Sequence, residues 1–215
     1  MYPVKCNVLV ISFDLDGTLV SRDYVDYFWL ELVPRLYAIK HNVSEDEAKR
    51  IVFSSYDEIG PGDVRWYNPR YWFKRFEIEE YLHAALREAS ELIKPYRDAL
   101  EVIEILRGKY ELVISTSAAR DFVNLVIERI PQYRESFKLI FSSSSDFGLP
   151  GKPPAFFKKI AEILKVKPQE IVHIGDDEEN DFRNAIAAGL NAFHVNRQQN
   201  KDLRAILNNI SSIDD

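Results

Sequence analysis

Two carboxylates, Asp14 and Asp16, flank a single leucine where the apolar run "VLVISF" ends and Gly17-Thr18 begins. Three later stretches carry matching chemistry. Thr116 and Ser117 close the run "LVISTS", Lys152 lies in "GLPGKPP", and Asp176, Asp177 and Asp181 lie in "IGDDEEND". A carboxylate can attack an electrophile, move a proton or hold a hard cation. Hydroxyls and an ammonium can hold an anion. The plainer alternative for Asp14 and Asp16 is a turn or a helix cap, where Asp is common.

Something must bring these residues to one place. Strand-like runs cover Asn7–Phe13, Tyr110–Thr116, Lys138–Ser143 and Glu170–Asp176, with a weaker one over Asn191–Asn196. They are near-continuously apolar, as strands buried on both faces are. Helical patterns sit between them. Tyr96–Lys109 has Leu100, Ile103 and Leu106 on one face and Gly108 as a stop. Arg120–Ile130, Pro153–Lys165 and Glu179–Leu190 follow the later strands, the second of these opening with two prolines that a first helical turn tolerates. The alternation predicts an α/β fold, a doubly wound parallel sheet with helices on both faces. In such sheets ligands bind beyond the carboxyl ends of the strands, where all four groups lie.

The alternation fails from about Ser21 to Pro95, which shows helical spacing and no good strand. It is too long for a loop and too apolar for a linker. We read residues 21–94 as an inserted all-helical cap domain and residues 1–20 and 95–215 as the α/β core domain. Gly60–Asp63 is a turn inside the insertion. Its aromatic stretch "RWYNPRYWF", Arg65 to Phe73, fits helical core packing, or a surface that closes over the site with Arg65 and Arg70 meeting a second anionic group.

The 215 residues carry a net charge of −6, so there is no basic footprint for nucleic acid, and any anion must be met by a local cation. No uncharged apolar run approaches a membrane span. The single cysteine, Cys6, excludes an internal disulfide framework and reads as a small buried residue near the first strand. With no leader-like N-terminus, the expected location is cytoplasmic.

With "FDLDGTLV", "LVISTS", "GKPP" and "IGDDEEND" in this order, the chain resembles the haloacid dehalogenase-like hydrolase superfamily, whose core is Rossmann-like. The resemblance covers the whole chain and puts the helical insertion where that superfamily places its most common cap. It implies that the second and fourth strands flank the first. Asp14, Thr116 and Asp176 would then surround a volume that fits one phosphate and one cation. The resemblance implies Mg²⁺ held by the Asp14 carboxylate, the Asp16 backbone carbonyl and the Asp176 carboxylate, with Asp181 or Asp177 holding metal-bound water. Electrostatics points the same way. Two carboxylates about 4 Å apart repel by about 4 kcal/mol at an effective dielectric of 20, and a divalent ion with Lys152 would relieve this.

The chemistry implied is phosphate monoester hydrolysis. Asp14 would attack phosphorus to form an aspartyl-phosphate, and Asp16 would protonate the leaving alkoxide and then take a proton from water. Lys152, Thr116 and Ser117 would hold the phosphate oxygens. Because a halide leaves without a proton, an acid at position 16 favours phosphoryl transfer over dehalogenation. The expected substrate is a small phosphorylated metabolite, and either a monomer or a homodimer is compatible with the sequence. The rivals are a phosphotransferase or mutase, a 2-haloacid dehalogenase, and a non-catalytic binding protein on the same fold. For Asp181 both a site role and helix capping stay open, while Glu178 and Glu179 read as solvated loop. His173 and His194 read as satisfied core histidines, and nothing marks His41 or His83 as catalytic.

Overall fold

The computed structural model describes residues 8–199, 202–205 and 207. Cys6 lies outside the described residues. Among those residues, β1 (Val10–Phe13), β2 (Glu111–Thr116), β3 (Leu139–Ser142), β4 (Ile171–Gly175) and β5 (Asn191–His194) form one sheet in the order β3-β2-β1-β4-β5. Every pairing is parallel, and β1 is central, with β2 and β4 as its neighbours. All four β1 residues are buried, as the apolar run requires. Successive side chains go to opposite faces. Ile11 and Phe13 join one apolar cluster, and Val10 joins another with Val113 and Ile171. The second face also carries three buried polar residues. Ser12 Oγ lies 2.7 Å from Ser115 Oγ and 2.9 Å from His173 Nδ1.

From Asp23 to Ser90 the chain is helical: α1 (Asp23–Tyr27), α2 (Val33–His41), α3 (Glu45–Ile59), α4 (Pro69–Arg75) and α5 (Leu82–Ser90), with short 3₁₀ turns at Val64–Tyr67 and Glu79–Tyr81. A π turn at Phe28–Leu32 joins α1 to α2. Pro34 explains it. Proline has no N–H for the carbonyl four residues back, and its ring crowds that carbonyl, so the helix widens just before it. The helical spacing from Tyr71 to Ile93 is broken at Glu77, whose φ of +56° is left-handed. The Phe76 carbonyl freed there accepts a hydrogen bond from His41 Nε2 at 2.9 Å. The segments leading in and out of these helices run side by side, tied by Ser21 N–H to Lys94 O at 2.9 Å and Tyr96 N–H to Leu19 O at 3.0 Å.

The remaining helices cover the sheet: α6 (Arg97–Leu106), α7 (Arg120–Arg129), α8 (Pro131–Ser136), α9 (Ser143–Phe147), α10 (Pro154–Leu164) and α11 (Asn184–Ala187). Helix α6 buries Ala99, Val102, Ile103 and Leu106, the spacing of one helical face. Among the described residues no helix is long and apolar enough to cross a membrane.

Candidate active site

The central strand and both neighbours end together. Asp14 is the first residue after β1, and its N–H donates to Ile174 O at 2.8 Å, which seals β1 to β4. Thr116 is the last residue of β2, and Asp176 is the first after β4. Lys152 arrives from the loop before α10, 3 % exposed, and its Nζ donates to Asp14 Oδ1 at 2.5 Å while also contacting the Asp181 carboxylate. Asp14, Asp176 and Asp181 each offer an oxygen within 4.8 Å of the others. Two glycines permit this crowding. A Cβ on Gly17 would overlap the Asp176 carboxylate, and one on Gly175 would overlap Asp181.

Directional bonds hold each group. Thr18 Oγ1 donates to Asp176 Oδ1 at 3.1 Å. Asp181 Oδ1 lies 3.0 Å from His173 Nε2, and its Oδ2 accepts from the Asp177 N–H at 3.0 Å. The Lys152 backbone N–H donates to Asn180 Oδ1 at 2.9 Å, and Ser143 Oγ donates to Gly151 O. Arg197 clamps the turn after β1 from behind. It donates to Gly17 O and Thr18 O, pairs with Asp98 at 3.0 Å and lies 3.5 Å from the centre of the Tyr96 ring.

The stretch "IGDDEEND" divides its labour. A π turn over Glu178–Arg183 carries Asp181 inward to full burial. Exposed Asp177 caps that turn, its Oδ1 accepting from Glu179 N–H at 2.9 Å and Asn180 N–H at 2.7 Å. Glu178 and Glu179 are exposed and lie beside Arg183. His173 is a satisfied core histidine between Ser12 and Asp181, and half-buried His194 donates Nε2–H to Asp176 O at 2.9 Å.

The electrostatics are unbalanced. Burial, with Lys152 opposing it, pushes the Asp14 carboxyl well up, and burial with Asp181 beside it raises Asp176. Burial also pushes Asp181 up, but Lys152 and His173 outweigh it and hold that carboxyl below the usual range. Burial lowers the Lys152 ammonium's pKa, and Asp14 and Asp181 more than reverse this. Asp16 is pushed up to about 6 by burial, against a hydrogen bond from Tyr24. Three clustered carboxylates thus face one buried ammonium. Their all-oxygen donor set suits a small divalent cation.

These residues floor a cavity of about 320 Å³. Asp14, Asp16, Asp176, Asp177 and Asp181 reach it, and so do Thr116, Ser117 and Lys152. Its walls carry five aromatic side chains, Trp29, Tyr56, Trp66 and Tyr67 from the helical segment and Phe122 of α7. Arg65 and Arg70 do not line it. Arg65 pairs with Asp63 and Arg70 with Asp121, each at 2.6 Å. The cation that does line it from the helical segment is Arg22, 3.7 Å from Asp26. Sequence reasoning passed over Arg22, Tyr24 and Asn180. Tyr24 sits in an aromatic helical run that reads as core, and Asn180 is an amide among acids. Neither carries a local signal for a partner elsewhere in the chain.

A family model described as haloacid dehalogenase-like hydrolase matches residues 8–189. The chain belongs to the haloacid dehalogenase-like hydrolases. Among curated relatives it is similar to the GMP/IMP nucleotidase YrfG of Escherichia coli (strain K12), 23 % identical over 174 residues, 80 % of this chain and 76 % of that protein. It is also similar to the glyceraldehyde 3-phosphate phosphatase of Methanopyrus kandleri, 28 % identical over 114 residues, 52 % of this chain and 47 % of that protein. Among solved structures, a haloacid dehalogenase-like phosphatase from Thermococcus onnurineus superposes with a TM-score of 0.77 at 26 % identity, covering 88 % of this chain and 87 % of that one. The 2-haloacid dehalogenase of Pseudomonas syringae pv. Tomato DC3000 shares the fold, with a TM-score of 0.65 at 21 % identity, covering 89 % of this chain and 87 % of that one.

Proposed function

We propose that this hydrolase is a Mg²⁺-dependent phosphatase of small phosphorylated metabolites. The observation that carries the reading is Asp14, buried at the cavity floor between Lys152 and the Asp176–Asp181 pair, with a second carboxyl, Asp16, two residues on. Phosphatase and nucleotidase names among the relatives support it. The excess negative charge and oxygen donors fit Mg²⁺, with Asp14 and Asp176 as carboxylate ligands, the Asp16 backbone carbonyl as a third and Asp181 behind them. Bound there, Mg²⁺ would neutralise the phosphate oxygens and hold the group in line.

The chain's own residues do the rest. Lys152, Thr116 and Ser117 hold the phosphate oxygens. Asp14 attacks phosphorus, an Asp14–phosphate bond forms and the ester P–O bond breaks. Asp16 gives its proton to the departing alkoxide. It then takes one from the water that attacks the aspartyl-phosphate, and inorganic phosphate leaves with Asp14 restored. An acid at position 16 has no use in releasing a halide, which sets this reading against dehalogenation. Residues 21–94 act as the cap and residues 1–20 and 95–215 as the core. The cap's aromatic wall selects the leaving group and keeps out bulky chains.

A panel of phosphate monoesters, scored by phosphate release with Mg²⁺ and with chelator, tests this. At least one should turn over only with Mg²⁺, and Asp14→Asn should lose that turnover with its fold intact. An active Asp14→Asn variant, or release of halide from 2-chloropropionate with no phosphatase activity, would overturn the reading. Transfer of phosphate to an added sugar rather than to water would mark a phosphotransferase.

A further inference from the structure

Tyr24 is fully buried on α1, at the start of the helical segment, and its hydroxyl donates to Asp16 Oδ1 at 2.6 Å. The ring is fixed edge-on to Phe122, with centroids 6.2 Å apart and planes at 69°. A buried tyrosine hydroxyl needs a partner, and a backbone carbonyl suffices, as Tyr133 shows by donating to Leu19 O at 2.8 Å. Tyr24 instead takes one oxygen of a carboxyl that lines the cavity. The hydroxyl is the donor in this contact. Oδ1 is therefore an acceptor whether Asp16 is charged or neutral, and a proton on Asp16 belongs on Oδ2.

We propose that Tyr24 is a positioning residue for proton transfer, locking Asp16 through Oδ1 so that Oδ2 delivers the proton to the leaving oxygen and collects it from water. The proposal rests on the acid–base role of Asp16. A carboxyl free to turn would offer Oδ2 to the reacting oxygen only part of the time. Fixing it removes that loss, in the way preorganised contacts act on rate. The benefit should appear only where the leaving oxygen needs a proton.

The test is Tyr24→Phe, which keeps the ring, assayed at saturating Mg²⁺ on an alkyl phosphate and on p-nitrophenyl phosphate. Acid–base catalysis contributes about 10²–10⁴-fold, so losing its aim should lower kcat on the alkyl ester by about 10–100-fold. The nitrophenyl ester should lose less than about threefold, because its leaving group needs little protonation. KM should hold. In an Asp16→Ala background the further change to Phe should cost nothing. Equal losses on both esters, no loss on the alkyl ester, or additive losses with Asp16→Ala would overturn the proposal. Asp16→Ala alone separates the two layers: a leaving-group effect there without one in Tyr24→Phe rejects Tyr24 only, and no effect in either rejects the acid–base reading. Should Tyr24→Phe not fold, 3-fluorotyrosine at position 24 keeps the hydroxyl and strengthens the donor. A change confined to the alkyl ester supports the proposal, and equal or absent changes overturn it.

Discussion

The carboxyl edge of the sheet and the helical wall above it are made of opposite materials. At the edge, Asp14, Thr116, Lys152 and Asp181 are nearly or wholly buried, and named bonds to Asn180, His173 and the backbone fix their neighbours. On the wall, Trp29 and Tyr56 meet edge-on at 5.8 Å, Trp66 and Tyr67 at 5.1 Å, and Trp66 is 38 % exposed. Hydrogen bonds have narrow geometry, whereas aromatic contacts tolerate repacking. On the proposed reading the edge sets what reaction occurs, and the wall sets what is admitted. Substitutions should divide accordingly, into losses of kcat below and changes of KM above.

After Asp14→Asn, Lys152→Ala should give the largest effect, lowering kcat by about 10²–10³-fold, the usual cost of losing one aimed charge on a developing anion. Steady-state kinetics on one good substrate would check it, and a pure KM effect would break the division. Next is the pH dependence of metal-free stability. Asp16 binds its proton more tightly folded, at about 6, than its ordinary 3.8, and burial also raises Asp14 and Asp176. That contribution is complete below about pH 4 and is lost as pH rises through about 6, so the chelated protein should melt lower at neutral pH than in mild acid. One pKa unit is worth about 1.4 kcal/mol, so the Asp16 share is at most about 3 kcal/mol, and Asp16→Asn should flatten the curve of Tm against pH. On the wall, Trp66→Ala should raise KM by about tenfold for a ring-bearing leaving group and leave kcat nearly unchanged, the pattern of lost uniform binding. Smallest is Arg70→Ala. Its pair with Asp121 is exposed on the arginine side, so denaturant titration should show a change within about 1 kcal/mol and kinetics should show none.

The same contrast explains what could be read in the chain. The three inner strands, β1, β2 and β4, stood out because their apolar runs are buried nearly throughout, whereas the edge strands β3 and β5 are only partly buried and β5 gave the weaker run; the acids after β1 and β4 are continuous in sequence with those runs. Asp14 and Asp176 were legible for that reason. The breaks in the helical segment were less so. The π turn before Pro34 and the left-handed Glu77 depend on how freed carbonyls find partners, such as His41 for Phe76. Within "IGDDEEND", capping by Asp177 and burial of Asp181 follow from the π turn, which nothing in the residue types announces. Arg65 and Arg70, placed against a second anionic group in one of the two readings of their stretch, are instead paired with Asp63 and Asp121. Tyr24 escaped notice because helical spacing assigns an aromatic to the core, and its hydroxyl's partner is set by the turn after β1.

The central claim is that Asp14 is the nucleophile, and covalent capture tests it most directly. The enzyme would be acid-quenched during turnover of p-nitrophenyl phosphate with Mg²⁺, digested and mapped by mass spectrometry. The account predicts phosphate on the peptide containing Asp14, and none with chelator. Turnover with phosphate on another residue would contradict it.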